Sequence, residues 1–195
     1  MVGRPREFDV DDALDAAMRA FWAKGYEATS LADLMAATGL HKGSLYQTFG
    51  DKHSLFIQSL KRYLAAMRSR KNELLRGAPT PLDGMRSVMH GMIDIADDDC
   101  SCPMGCMAIN SLVELAPHDQ AVKEIMADHA ARMRASLEET VGNAQLAGQI
   151  GKERPPELIA AMLMTFMAGI ATTLRGHLGK ADAHALLDAQ IGALS

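Results

Sequence analysis

The sequence predicts an all-α protein of two parts: a small three-helix unit carrying a helix-turn-helix, and a larger helical unit behind it. Three observations carry that expectation. Hydrophobic residues make up 48% of the 195 residues while aromatics make up only 5%, and there are 14 methionines, a balance that suits helices better than a sheet. Apolar residues recur at three- and four-residue spacing along most of the chain, and no segment shows the strict alternation of a half-buried strand. Glycines at 25, 39 and 50, and the stretch GAPTP at 77–81, fall between these periodic runs, where helices end and turns begin.

Each element has its own signal. Asp9 caps the first helix, with Asp12 three positions later and Val10, Leu14, Ala17, Met18 and Phe21 in one apolar stripe; Gly25 ends it. Thr29 or Ser30 caps a short second helix, LADLMAAT, with Leu31, Leu34 and Met35 facing inward. Gly39 permits a sharp turn, and a third helix over 42–48 ends at Gly50. A long fourth helix runs over 51–76 with Leu55, Phe56, Leu60, Tyr63, Leu64 and Met67 inward. Further helices are expected over 82–96, 103–115, 119–147, 156–178 and 182–193. The 119–147 run places Val122, Ile125, Met126, His129, Met133, Leu137, Val141 and Ala144 on one face, and the prolines of RPPEL open the next helix. The boundary between the units is placed inside the fourth helix, which belongs to both, dividing 1–52 from 53–195.

Charge is unevenly distributed. Residues 1–76 hold 12 Lys/Arg and 9 Asp/Glu, a net of +3, whereas residues 77–195 hold 8 and 15, a net of −7; together they give the −4 of the whole chain. A basic first third on an acidic protein points to a polyanionic partner for that third alone. The N-terminus, MVGRPREFDVDD, has no apolar h-region, and no run of about 20 apolar residues is expected to span a bilayer. A cytoplasmic protein without membrane contact is expected, in a compartment that keeps thiols reduced.

The stretch GYEATSLADLMAATGLHKGSLYQTFGDKHSL, residues 25–55, is the most informative. Thr29-Ser30-Leu31, Leu34, Gly39-Leu40, Lys42-Gly43-Ser44-Leu45-Tyr46, Phe49, Lys52 and Leu55 stand at fixed spacing, and the pattern resembles the DNA-binding signature of TetR-family transcriptional regulators. The resemblance implies a homodimeric repressor that binds double-stranded operator DNA, with a C-terminal domain that takes a small-molecule effector and dimerises through its last two helices.

Physical chemistry fits those positions. Gly43 removes a side chain where the recognition helix approaches DNA, and a helix N-terminus suits phosphate oxygens. Thr29, Ser30, Ser44 and Tyr46 are candidate phosphate donors, Lys52 adds a cation, and Lys42 and Gln47 are candidates for base edges. His41 stands where the family usually has a small capping hydroxyl residue, so it either caps poorly or touches DNA itself. Ala32 stands where the family often has arginine, which removes one contact. Arg4 and Arg6, in the arm GRPRE, are candidates for the minor groove.

In the second unit, the resemblance makes residues 156–178 and 182–193 the dimer interface. Leu158, Met162, Leu163, Phe166, Ile170 and Leu174 exceed what one buried face needs, a pattern that fits either burial against a partner or a central core helix. Ten of the 14 methionines lie beyond residue 77. Met67, Met89, Met92, Met107, Met133, Met162 and Phe166 are candidates for a deformable pocket, with Tyr63, Asn110 and His129 as its polar groups.

All three cysteines fall in CSCPMGC, residues 100–106, and three readings stay open. Pro103 would make Cys102 an N-cap and set Cys106 within the first turns of a helix, where a thiol is activated and Cys102 could resolve an oxidised Cys106. Gly105-Cys106 with Asn110, Glu114 and ELAPHD resembles a TetR subgroup some of whose members sense electrophiles or oxidants through this cysteine. Alternatively the cysteines pack as small hydrophobes, or Cys100, Cys102 and Cys106 bind a metal as a regulatory signal, although no paired C-x2-C or H-x3-H framework supports it. No resident cofactor or metal is expected. G-x-S-x-G, G-x-G-x-x-G, Walker A and H-E-x-x-H patterns are absent from the sequence, and an enzyme would leave the helix-turn-helix without a purpose.

Overall fold

The computed structural model describes residues 8–95 and 104–194. Within them the chain forms α1 (Val10–Lys24), α2 (Leu31–Thr38), α3 (Lys42–Phe49), α4 (Lys52–Gly77), α5 (Pro81–Ile95), α6 (Met107–Glu114), α7 (Gln120–Leu146), α8 (Pro156–Leu174) and α9 (Lys180–Gly192), with no strand. The all-α expectation holds, and the first three helices stand where the sequence put them. The Asp9 carboxylate accepts from the N–H groups of Asp11 and Asp12 at 2.7 and 3.3 Å. Ser30 and Asp33 close a capping box at the start of α2. Gly39, at φ +68°, makes the left-handed turn between α2 and α3.

Two helices differ from the expectation. The helix expected over 103–115 begins only at Met107, with Cys106 rather than Cys102 at its N-cap. Gly105 sits at φ +61° and turns the chain before the helix begins; Pro103 lies outside the described residues. The helix expected over 156–178 stops at Leu174, and the Thr173 carbonyl accepts from the N–H groups of Gly176, His177 and Leu178 in the turn that follows. Cys100, Cys102, Arg4 and Arg6 lie outside the described residues.

Two apolar clusters organise the body. The first gathers Phe21, Trp22, Leu34, Leu45, Phe49, Leu55, Phe56 and Leu60 from α1–α4 and continues without a break into Met104, Met107, Ala108, Leu115, Ala116, Val122 and Met126. The second holds Met85, Met89, Ile93, Val141, Ile159, Leu163, Ile170, Leu187 and Ile191 of α5 and α7–α9. The helix-turn-helix therefore shares its core with α6 and the start of α7, and α4 packs against both α1 and α5.

Helix α8 corrects one expectation: by length and composition it is apolar enough to cross a membrane. Here Ile159, Ala160, Leu163, Met167, Ile170 and Leu174 bury one face of it in the helical core, as in a central helix of a packed bundle. Outward it shows Leu158 and Met162, and Leu186 of α9 is exposed as well. Helix α9 is tied to α5 by facing imidazoles, with His90 Nδ1 2.5 Å from His184 Nδ1, His90 Nε2 3.1 Å from Asp188 and His184 Nε2 3.0 Å from Asp94.

Arg62 of α4 holds α1 through Asp11 and Asp15, with Nη2 2.7 Å from Asp15 Oδ2. That hydrogen bond keeps the Asp15 carboxyl below its usual pKa. The Val122 N–H, and then His53, do the same for Asp119. The folded chain thus releases these protons more readily than the unfolded one. Their stabilisation is complete above about pH 4 and is lost as pH falls through the lowered values. Melting temperatures measured from about pH 6 to about pH 3 should drop at the acid end. Arg62→Met should flatten part of that drop, and an equally steep profile in the variant would contradict the assignment.

Candidate nucleic-acid interface and effector cavity

The outer face of α2–α3 is built from residues the core does not need. Leu45 and Phe49 are buried, which turns Lys42, Gly43 and Gln47 to solvent and leaves Ser44 and Tyr46 half-buried at the edge. His41 takes the N-cap position of α3 without a side-chain cap bond, as the sequence suggested, so the first N–H groups of α3 keep no side-chain acceptor from it. A side chain added at Gly43 would meet nothing within 4 Å; its openness faces outward. Lys42 Nζ lies 5.9 Å from the Tyr46 ring centre and Lys52 Nζ 4.5 Å from that of Tyr26, which holds both cations over aromatic faces.

Two expected phosphate donors have other work. Thr29 is fully buried, and its hydroxyl donates to the Gly25 carbonyl at 2.5 Å. It closes the turn after α1 and does not face outward. The Ser30 hydroxyl, 2.7 Å from Asp33 Oδ2 and accepting from the Asp33 N–H at 3.1 Å, is engaged in the α2 cap.

Behind this face, three long-range contacts join the head to the segment around α6. The Glu114 carboxylate accepts from the N–H groups of Tyr26 and Glu27 at 3.1 and 2.9 Å. Gly25 makes this possible: at φ +86°, an added Cβ would stand 2.8 Å from Glu114 Oε2. The Trp22 indole donates to the Gly105 carbonyl at 3.1 Å, and His53 Nε2 lies 2.6 Å from Asp119 Oδ2. Gly105 is itself constrained, because a Cβ would come within 2.9 Å of the Ala171 carbonyl.

Beneath α6 lies a cavity of two adjoining lobes, about 480 and 500 Å³, large enough for a small organic ligand. Tyr63, Met67, Lys71, Met92, Cys106, His129 and Met133 border both lobes, and Met89 lines the inner one. The Tyr63 hydroxyl is 3.5 Å from Cys106 Sγ; burial pushes its pKa well up, so it stays protonated and serves as a donor. The Tyr63 ring meets Trp22 edge to face, 5.0 Å between centres. Burial favours neutral His129, with Asp128 opposing more weakly.

Four expected pocket residues are elsewhere. Asn110 turns its amide to the Met104 carbonyl at 3.0 Å and shapes the approach to α6. Met107 is buried in the head-side core. Met162 lies on the exposed side of α8, and Phe166 packs against the body core. A helical stripe fixes a face, but not which part of that face borders empty space. The sequence reading also missed Trp22, Lys71, and the pairing of His53 with Asp119, and it named Gly105 without its contacts to Trp22 and Ala171. Only Lys71 had a local signal, continuing the four-residue spacing of Tyr63 and Met67 along α4.

Comparison with known proteins settles the family. A model described as bacterial regulatory proteins, tetR family, matches residues 13–58, and one described as a tetracyclin repressor-like C-terminal domain matches residues 81–188. The chain belongs to the tetR family. The HTH-type transcriptional repressor ComR of Escherichia coli (strain K12) is 31% identical over 173 residues, covering 89% of this chain and 82% of ComR. The HTH-type transcriptional repressor BdcR of the same strain is 27% identical, over 90% and 84%. Among solved structures, a cysteine mutant of the TetR family regulator CifR, complexed with 26-bp double-strand operator DNA, superposes with a TM-score of 0.85. It is 26% identical and covers 99% of this chain and all of that one. The chain is accordingly a transcriptional regulator, and the exposed α2–α3 face lies within the stretch that the regulatory-protein model matches.

The contacts behind it should be separable from that face. Glu114→Ala leaves two N–H groups without their acceptor and should cost about 1–3 kcal/mol. Gly105→Ala, which forces a Cβ onto the Ala171 carbonyl at a left-handed position, should cost a similar amount. Chemical denaturation measures both; a Glu114→Ala midpoint equal to wild type would show that the carboxylate does not hold the head.

Proposed function

We propose that this chain is a one-component, cytoplasmic transcriptional repressor that binds a palindromic operator as a homodimer and releases it when the cavity is filled or Cys106 is modified. One observation carries the reading: residues 104–119 serve both ends of the molecule. Gly105, Cys106, Ala108, Ile109 and Leu112 line the cavity. The same stretch reaches the head through the Gly105 carbonyl, Glu114 and Asp119. A ligand wedged against Cys106, or an adduct on its sulfur, displaces α6. It thereby shifts the Trp22 and Glu114 contacts that orient α1 and, through it, α2–α3.

Such a signal acts only through its different affinity for the two states of the head. A coupling of about 1–3 kcal/mol changes operator affinity by about 5- to 150-fold. Repression is supported by the repressor names of ComR and BdcR, and operator binding by the CifR complex. The dimer is supported by the outward Leu158 and Met162 of α8 and Leu186 of α9; two copies related by a twofold axis match a palindrome. Phosphate contacts fall to Ser44, Tyr46 and Lys52, and base contacts to Lys42 and Gln47, with His41 at the edge. The metal-responsive alternative through Cys100, Cys102 and Cys106 rests on two cysteines, Cys100 and Cys102, that lie outside the described residues.

Two operator titrations at fixed salt test the reading, using DNA from upstream of the chain's own gene. Gly43→Leu fills the outward gap and should lower affinity at least about tenfold while leaving the helix intact or slightly more stable; unchanged affinity would remove α3 from the interface. N-ethylmaleimide, whose alkene adds the Cys106 sulfur, should release wild type and spare Cys106→Ser. Release of both proteins alike would overturn the role of this thiol.

A further inference from the structure

The cavity is chemically two-ended. Its inner lobe, between α5, α7 and α8, is lined by Met85, Met89, Leu163, Met167 and Leu174. Its outer lobe carries five cations, Lys61, Arg68, Arg70, Lys71 and Arg132, against two carboxylates, Glu124 and Asp128. Asp128 is already committed, its two oxygens 3.0 and 2.8 Å from Arg132 Nε. An apolar chamber is thus rimmed by an excess of positive charge. Four of the 12 basic residues in the first 76 border this cavity and not the DNA face, so the basic first third serves two partners.

Lys71 stands at the junction of the lobes. Its hydrogen bond among the described residues goes to a neutral acceptor, Ser136 Oγ, at 2.6 Å. Burial pushes its pKa down more than Glu139 pulls it up, and Arg68 adds to the fall. A cation so placed gains from a negative group brought into the cavity.

We propose that the effector is an amphipathic anion, with its apolar body in the methionine-lined lobe and a single anionic head on Lys71, supported by Arg68 at the mouth. This rests on the cavity being the effector site. Unbranched, polarizable methionines accept an apolar body without demanding one shape, while a charge-assisted bond to Lys71 fixes which end lies outward.

The test is calorimetric titration of the full-length protein with three probes of equal chain length, decanoate, decan-1-ol and decyltrimethylammonium, alongside operator release. Decanoate should bind about ten- to a hundredfold more tightly than decanol, with decyltrimethylammonium weakest. Lys71→Met should abolish the preference for decanoate and keep decanol binding, which also reports an intact cavity; the exposed Arg68→Gln should weaken decanoate alone. Equal binding of decanoate and decanol by wild type, or a preference that survives Lys71→Met, overturns the anionic head. If Cys106 modification still releases the operator in that case, the effector-site reading stands and only the ligand class falls. If no probe binds and modification has no effect, both fall.

Discussion

Much of this molecule hangs on one carboxylate. Glu114, the last residue of α6, accepts two backbone N–H groups in the turn after α1. These donors have no helical partner, and water is the alternative to Glu114. The contact exists because Gly25 presents no side chain to the carboxylate and can hold a positive φ. It fixes the end of α1, and with it Thr29, whose hydroxyl closes the same turn. From there Ser30 starts α2, Gly39 turns the chain, and α3 is set at the surface. The exposed face of α3 is thus referenced, step by step, to a helix of the other half of the chain.

That dependence explains why the head does not end where its motif ends. A helix-turn-helix of three short helices buries too little apolar surface to stand firmly alone. Here its core runs on into Met104, Met107, Ala108 and Leu115. On the proposed reading, sharing a core has a functional consequence. Anything that moves α6 must move groups the head relies on, and the cavity lies against α6. The Tyr63 side chain spans that gap, with its hydroxyl on the Cys106 sulfur and its ring on Trp22. No separate transmission element is needed, because packed interiors pass small displacements on.

Legibility in the sequence followed the range of the interactions involved. Caps, glycine turns and helical stripes are local, so α1–α3 could be read residue by residue, including the missing cap at His41. The exposed residues of α3 could be read because Leu45 and Phe49 had to face inward. What escaped was set by partners far along the chain. Thr29 and Ser30 looked like free hydroxyls until Gly25 and Asp33 took them up. Asn110 looked like a pocket donor until the Met104 carbonyl, placed by the left-handed Gly105, claimed its amide. The late start of α6 has the same origin: Pro103 suits a first helical turn, but Gly105 packs against the Ala171 carbonyl and turns the chain before the helix can begin. Basic residues deceived in another way, since net charge carries no direction, and α4 divides its cations between α1 and the cavity.

The central claim is that occupation of the cavity is felt at the α1 turn through α6. Hydrogen–deuterium exchange at the Tyr26 and Glu27 amides, before and after alkylation of Cys106 in otherwise intact protein, tests it most directly. The account predicts that both amides lose protection on alkylation while the α9 amides keep theirs. Unchanged protection at Tyr26 and Glu27 in fully alkylated protein would contradict it.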